Sequence, residues 1–372
     1  MKIMCEKSDL LNTITIASNA VSQKTTMEIL ECIVIEAAKG VIKLITNDME
    51  IGIETIVKGI VEEEGTVAIS AKVLSEYIRK LPNTQVVIVS DDNYNMTFTC
   101  EKSEFKYAGR DPIEFPSLPE VNRSNGISLS EFSLKEIIRQ TVFSISDNEN
   151  NKIMTGELFE IKQDNLRLIS LDGHRVSIRK IKLKDSYEDA KVIVPGKTLS
   201  KISRILTGGV DDIVDVYFTN KHIVFDINDT TVLSRLIEGE FFNIDSMLTD
   251  SFETKIRANK KDFYDCIDRS SLLVRENEKK PIILNIKDDQ IHFKIVSSLG
   301  KMKEDMDVTK EGKDLKIGFN PKFLMDALKV IDDEDIDIYM FNPKSPCFIR
   351  NEDYTYIYLI LPVNFIDTDE EE

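Results

Sequence analysis

The sequence predicts an α+β protein built from three repeated domains. A segment in which an apolar run is followed by Lys-x-Leu and a helical pattern recurs at Lys72, Lys197 and Lys322, always 125 residues apart. Self-similarity at a fixed interval is typical of repeat architectures. Short alternating or apolar runs, typical of antiparallel strands, lie between the helical segments. A chain of 372 residues has room for three hydrophobic cores of ordinary size.

Two helices are predicted in each repeat. The earlier one places mostly apolar residues at i, i+4, i+7 and i+11, which is one face of a helix. These faces are Leu10, Ile14, Ala17 and Val21; Leu134, Ile138, Thr141 and Ile145; Phe263, Ile267, Ser270 and Val274. The six helical windows are 7–24, 72–81, 131–146, 197–206, 260–275 and 321–330.

The strands and linkers complete the predicted organisation. Strands are predicted at ILECIVIEA, VIKLIT, LRLISL, IVDVYF, IVFDI, PIILNI and IHFKIV. Between LRLISL and VSIRKI, the dipeptide Asp172-Gly173 favours a hairpin with a type I′ turn. Turn-rich, aperiodic linkers at 115–126 and 243–253 give domains at 1–121, 126–247 and 253–366. An acidic tail follows at 367–372.

The charge is unevenly distributed along the chain. A net charge of −17 argues against nucleic acid as a partner, because phosphate binding depends on Lys and Arg. The six helical windows nevertheless carry 16 Lys and Arg against 8 Asp and Glu. The excess of basic residues in any one helix could reflect lysine and arginine on a solvated face, since both are good helix formers. Glutamate is an equally good helix former, however, and is not enriched in these windows. The repeated basic helices therefore predict a shared surface that faces a polyanion.

The composition also excludes several classes of site. No apolar run approaches the roughly 18 residues needed to cross a membrane, and the N-terminus lacks a signal peptide, so we expect a cytoplasmic protein with no membrane partner. Five scattered cysteines form no C-x-x-C pair, and the three histidines have no metal-ligand spacing. We therefore expect no metal, no cofactor and no disulfide.

Two short motifs suggest enzymes, and both have simpler interpretations. Gly196-Lys197-Thr198 follows a strand as in a phosphate-binding loop, but the first glycine of that motif is replaced by Lys191. Asp172 beside His174 could be an acid–base pair, although a hairpin turn explains the same residues. We expect no catalytic residues. A nucleotide-hydrolysing enzyme and an acidic scaffold that binds only proteins remain as alternatives to a polyanion-binding protein.

Several motifs, in order along nearly the whole chain, resemble the bacterial DNA polymerase III beta subunit family of sliding clamps. They are FPSLP at 115–119, LDGHRVSI at 171–178, VIVPGKTLSKI at 192–202, RLIEGEF at 235–241, IGFNPKFLMDAL at 317–328 and YLILPVNF at 358–365. The resemblance implies three domains of the DNA-clamp fold, with two chains closed head to tail into a ring whose helices line the hole. It implies a processivity factor that encircles double-stranded DNA without reading its sequence.

The resemblance also implies two kinds of contact made by the ring. Cations in or beside the repeat helices are expected to contact DNA phosphates, namely Lys24, Arg79, Lys80, Lys197, Lys201 and Arg204. At the subunit boundary, Leu272 and Leu273 lie off the core stripe of their predicted helix, and Phe105 is a plausible counterpart in the neighbouring chain. A homodimer is therefore expected.

A partner pocket is implied where the terminal strand meets the second domain. The replicative polymerase, the clamp loader and repair proteins would insert short linear motifs there, with Arg175 orienting the peptide. The implied lining is Met154, Leu171, Gly173, His174, Arg175, Val176, Phe242, Met247, Ser345, Ile360, Leu361, Pro362 and Val363. Because the chain departs from the family pattern at Phe242, Ser246 and Asn364, apolar anchors are expected to matter more than polar contacts.

Overall fold

The structure, a computed structural model, describes residues 1–22, 25–274 and 280–365 and contains six α-helices and 24 strands in those ranges. The helices are α1 (Lys7–Ala17), α2 (Ala71–Lys80), α3 (Glu131–Arg139), α4 (Gly196–Ile205), α5 (Lys260–Ser271) and α6 (Pro321–Val330). The strands are β1 (Lys2–Glu6), β2 (Cys32–Ala38), β3 (Val41–Asn47), β4 (Ile51–Val57), β5 (Gly59–Glu63), β6 (Gly65–Ser70), β7 (Gln85–Ser90), β8 (Asn95–Cys100), β9 (Ser103–Ala108), β10 (Gly126–Ser130), β11 (Gly156–Leu171), β12 (Arg175–Pro195), β13 (Ile213–Phe218), β14 (His222–Ile227), β15 (Thr230–Arg235), β16 (Thr254–Asn259), β17 (Ile282–Lys287), β18 (Gln290–Ser297), β19 (Gly300–Asp307), β20 (Thr309–Gly312), β21 (Leu315–Phe319), β22 (Asp335–Met340), β23 (Cys347–Arg350) and β24 (Tyr356–Ile360). None of the helices in these ranges is long and apolar enough to cross a membrane.

The 125-residue repeat is confirmed by α2, α4 and α6, which begin at Ala71, Gly196 and Pro321. Each of these helices buries the leucine of its Lys-x-Leu segment, because that position falls on the face turned to the core. The three leucines, Leu74, Leu199 and Leu324, are at most 1% exposed. The first turn of α6 is capped by Asn320, whose side chain accepts a hydrogen bond from the Lys322 N–H.

The other three helices are shorter than predicted. α1 ends at Ala17, α3 at Arg139 and α5 at Ser271, so the fourth residue of each predicted face lies outside its helix. A hydroxyl side chain lies at each of these ends and donates to a carbonyl of the last turn, a bond that competes with helix continuation. The Oγ atoms of Ser18, Thr141 and Ser270 lie 2.6–2.7 Å from the carbonyls of Ile14, Ile137 and Ile267.

The chain forms two compact units, the first comprising Met1–Leu134 and Lys197–Leu236. It contains a five-stranded sheet of order β5-β1-β7-β8-β9 and an eight-stranded sheet of order β10-β13-β14-β15-β4-β3-β2-β6, with all pairs antiparallel. The pairing of β15 with β4 carries the larger sheet from the second repeat into the first. Leu10, Ile14, Leu74 and Ile78 of α1 and α2 belong to one buried cluster in this unit.

The second unit comprises Lys135–Gly196 and the chain from Ile237 onward. Its seven-stranded sheet has the order β11-β12-β24-β23-β22-β16-β20, and its four-stranded sheet has the order β19-β18-β17-β21. Alternate residues of β24 belong to two different buried clusters, Tyr358 with α5 and α6, and Leu359 with β11 and β12. Both faces of this strand are covered, since every residue of β24 is buried.

The turn between β11 and β12 differs from the predicted type. A type I′ turn needs positive φ at both central residues, whereas here Gly173 has φ +87° and neither Asp172 nor His174 has positive φ. Positive φ at the first central residue alone is the type II′ pattern, in which glycine avoids a steric penalty. The Asp172 carboxylate fixes the turn by accepting hydrogen bonds from the His174 and Arg175 N–H groups.

Candidate functional site

A small apolar cavity opens beside the β11–β12 turn in the second unit. Its volume is about 160 Å³. It is lined by Met154, Leu171, Gly173, His174, Arg175, Val176, Phe242, Ile244, Met247, Leu359 and Leu361. The structure thus brings together nine of the 13 residues implied for a partner pocket.

The cavity has a buried floor and an exposed apolar rim. Leu171, Val176 and Leu359 are at most 5% exposed, whereas Phe242 is 40% and Met247 is 44% exposed. Large apolar side chains that remain exposed around a concave surface are typical of binding sites, because a ligand can remove them from water. The geometry is suited to one or two apolar side chains of a ligand.

The terminal strand contributes Leu359 to this cavity, and Leu361 follows just after the end of the strand. β24 pairs with β12, with Arg175 opposite Ile360 and Val176 opposite Leu359. Successive strand residues point to opposite faces, so Leu359 and Leu361 face the cavity while Ile360 is buried in the cluster of α5 and α6. Assignment of Ile360 to the pocket was therefore wrong. Leu359 was missed, although its alternation with Leu361 is visible in the sequence.

Three further predicted residues lie outside this cavity. Pro362 and Val363 line a neighbouring groove of about 720 Å³, and His174 lines both the cavity and the groove. Ser345 lines neither, and its N–H group donates to the Asn342 side chain at 2.8 Å in the turn before β23. Ile244, which the resemblance did not imply, is 3% exposed and forms part of the cavity wall.

Arg175 is held by three hydrogen bonds of its guanidinium within the protein. It donates to Asp172 at 3.0 Å, to Asp326 of α6 at 2.8 Å and to the Phe143 carbonyl at 2.7 Å. The guanidinium carbon also lies 4.6 Å from the centre of the Phe323 ring. A 7% exposed arginine with these partners has little freedom to orient a peptide. It holds the hairpin against α6 and so fixes the cavity wall.

The predicted DNA-contacting cations occupy two helices of the first unit. Arg79 and Lys80 end α2, while Lys197, Lys201 and Arg204 lie on α4. All are exposed except Lys201, whose ammonium group is 3.0 Å from the Asp48 carboxylate with both side chains less than a quarter exposed. A cation that is already paired gains less from a phosphate, so Lys201 is a weaker candidate than Arg79, Lys80 or Arg204. Lys24 lies outside the described residues.

The residues expected at a subunit boundary have exposed apolar surface. Leu272 is 78% exposed and follows the end of α5, so it and Leu273 lie in a turn and not on the predicted helix. Phe105 is half-buried on β9, an edge strand, with its ring stacked 4.2 Å from that of Tyr77. An edge strand with an aromatic side chain is available to a second chain.

The Gly196-Lys197-Thr198 segment cannot cradle a phosphate in this fold. A Cβ atom at Gly196 would lie 2.2 Å from the Ile145 Cδ1, so the glycine provides close packing and not a ligand site. The Thr198 hydroxyl is fully buried and lies 2.7 Å from the Ser234 hydroxyl. Across the ranges that the structure describes, no group of three or more His, Cys, Asp or Glu could hold a metal ion.

Comparisons with known proteins agree over nearly the whole chain. The N-terminal, central and C-terminal domains of the DNA polymerase III beta subunit match residues 1–119, 128–243 and 245–364. A beta sliding clamp from Staphylococcus epidermidis is 33% identical, covering 98% of this chain and 99% of its own. A solved structure described as a DNA polymerase III beta subunit from Eubacterium rectale is 55% identical, with a TM-score of 0.96 and coverage of 98% and 99%. The DNA polymerase sliding clamp of Bacillus subtilis is 32% identical, with a TM-score of 0.95 and coverage of 98% and 100%.

Proposed function

Because the chain belongs to the DNA polymerase III beta subunit family, the bacterial sliding clamps, we propose that two copies form a ring that encircles double-stranded DNA. The exposed cations of α2 and α4 support this proposal, because they give an acidic protein a local surface that attracts phosphates. Binding of this kind is independent of base sequence. Retention depends on closure of the ring, so high affinity for DNA is unnecessary. The chain acts as a processivity factor, with no enzymatic activity and a cytoplasmic location, as the sequence predicts.

The cavity beside the β11–β12 turn is proposed to capture replication proteins through short linear motifs. The observation that carries this proposal is the convergence of Leu171 and Val176 with Leu359 and Leu361 under an exposed rim. A contact of this size gives affinities on the order of micromolar, or about −8 kcal/mol, which suits partners that must exchange. The polymerase, the clamp loader and repair proteins would then compete for one site on each chain.

A topological test separates a clamp from a protein-only scaffold. The dimer is assembled on nicked circular DNA with its loader, washed at high salt and then treated with an enzyme that linearises the circle. A clamp stays on the intact circle, because high salt screens the phosphate contacts but cannot open the ring. It leaves after linearisation. Loss from the intact circle in the same wash would favour the scaffold.

A peptide test addresses the cavity itself. A fluorescent peptide with the family's Gln-Leu-x-Leu-Phe pattern is titrated against the protein and against His174→Ala combined with Leu361→Ala. The double variant should lose binding, because one wall and part of the rim are removed, while its mass in solution is unchanged. Leu299→Ala, which truncates a 48% exposed leucine outside the cavity, is the matched control. Equal binding by all three proteins would place the partner site elsewhere.

A further inference from the structure

The groove next to the cavity is lined by lysines that form no ion pair with any residue that the structure describes. Lys280, Lys322 and Lys329 are exposed and line this groove. Neither the Lys322 nor the Lys329 ammonium forms an ion pair with a described residue, and the Lys329 ammonium lies 5.9 Å from the centre of the Tyr264 ring. Among the lining residues that the structure describes, the only acidic one is Asp326, which is bound by Arg175 at 2.8 Å. Among its described lining residues, the groove therefore presents three lysines and no unpaired carboxylate beside apolar surface.

The chain itself runs along this groove and then becomes strongly acidic. After β24, Pro362 and Val363 line the groove, and the Val363 N–H donates to the Gly318 carbonyl at 2.8 Å. Residues 366–372 follow almost at once and read Ile-Asp-Thr-Asp-Glu-Glu-Glu, with five acidic residues in seven. Seven residues can span up to about 23 Å, so the lysines are within reach of a segment that starts beside them.

We propose that the acidic segment 366–372 binds back onto the lysine-lined groove and competes with partner peptides for the adjoining cavity. Charge complementarity selects this occupant, and the tether makes even a weak contact effective, since a short linker gives an effective concentration on the order of millimolar. His174 lines both the groove and the cavity, so an occupant of the groove restricts a peptide in the cavity. The competition rests on the proposed function of the cavity, whereas the binding of the segment does not.

The contact itself is tested by zero-length cross-linking with a carbodiimide, which joins lysines to carboxylates in contact. Peptide mass spectrometry of the full chain should find links from residues 367–372 to Lys322 or Lys329, and these links should disappear at high salt because the attraction is screened. Lys261 and Lys303 are exposed lysines of the same domain outside the groove and are the internal control. Links that are absent, or equally frequent to Lys261 and Lys303, would overturn the proposal.

The competition is tested with a Gln-Leu-x-Leu-Phe peptide whose flanking residues are uncharged. Removing residues 366–372 should tighten its binding about three- to tenfold at low salt, which is the factor expected when a tethered competitor is lost. Lys322→Gln combined with Lys329→Gln should tighten binding equally, and removal of the segment from that variant should add nothing. If removal of residues 366–372 tightens peptide binding but the double lysine substitution does not, the segment acts elsewhere and the groove assignment is overturned. If no protein binds the peptide, the proposed cavity fails while the cross-linking still decides where the segment binds.

Discussion

Replacement by glutamine at two fully buried glutamates should change the free energy of unfolding in opposite directions. Glu131 at the start of α3 accepts from the Thr207 N–H and hydroxyl, the Gly208 N–H and the Asn228 side chain. Glu157 in β11 has one partner, the Thr141 hydroxyl at 3.2 Å, and its Oε1 atom has none among the described residues. Burial without compensating donors disfavours the charged form and raises the pKa of Glu157 to about 8.

The sign of the effect follows from linkage. A carboxyl whose folded-state pKa is raised stabilises the fold only where it is protonated in both states, which is below its ordinary pKa of 4.5. That contribution is lost progressively as the pH rises from there toward 8. At pH 7 the loss amounts to about 3 kcal/mol, at 1.36 kcal/mol per pH unit, and it approaches 5 kcal/mol above pH 8. These are upper values, but they are a substantial fraction of the free energy of unfolding of a whole domain, which is typically about 5–15 kcal/mol.

Glu157→Gln should therefore raise the free energy of unfolding by about 2–3 kcal/mol at pH 7, with a gain that grows between pH 5 and pH 8. Glu131→Gln should lower it by about 1–3 kcal/mol, because an amide N–H₂ would face N–H donors. Urea unfolding of the protein and both variants at pH 5, 6, 7 and 8 measures this directly. A Glu157→Gln variant whose stability falls with pH as steeply as that of the unsubstituted protein would refute the reasoning.

Two other predictions concern DNA and the dimer. In DNA-binding titrations, the slope of log K against log salt should be flattened by up to about 1 by each of the substitutions Arg79→Ala, Lys80→Ala and Arg204→Ala. Lys201→Ala should change the slope less, because Asp48 already pairs with Lys201. An equal effect of all four substitutions would contradict this ranking. Leu272→Asp combined with Leu273→Asp should give folded monomers by light scattering at low micromolar concentration, because a buried interface would then contain unpaired charge. Ile113→Asp, at an 82% exposed position, is the control and should leave the mass unchanged.

Periodicity in the sequence was sufficient to predict the repeat and its helices. The positions of α2, α4 and α6 follow from where Lys-x-Leu recurs, because a buried leucine and a helical face are properties of neighbouring residues. The ends of α1, α3 and α5 were predicted too late. Single hydroxyls such as that of Thr141 lie at these ends and carry no periodic signal.

Most of the cavity lining was implied by the family resemblance, whereas alternation along β24 was misapplied at Ile360 and Leu359 and contacts with distant partners were missed. Leu171, Val176 and Leu361 were assigned to the cavity, and the structure places them there. Arg175 forms an ion pair with Asp326, which is 151 positions away in the sequence, and Lys201 forms one with Asp48, which is 153 positions away. Both acidic residues are unremarkable in sequence, so only tertiary structure identifies which cation each one neutralises.

The cavity wall depends on polar groups behind it as much as on its apolar lining. The Ser170 hydroxyl donates to the Thr141 carbonyl at 2.6 Å, and the hydroxyls of Ser144 and Ser177 lie 2.5 Å apart, all in fully or almost fully buried positions. A slip of the β11–β12 pairing by one residue would turn these side chains to the opposite face and leave buried groups without partners. The apolar residues of the hairpin would tolerate that slip better, since successive residues near the turn are buried on both faces. The buried hydroxyls therefore select the register that directs Leu171 and Val176 into the cavity.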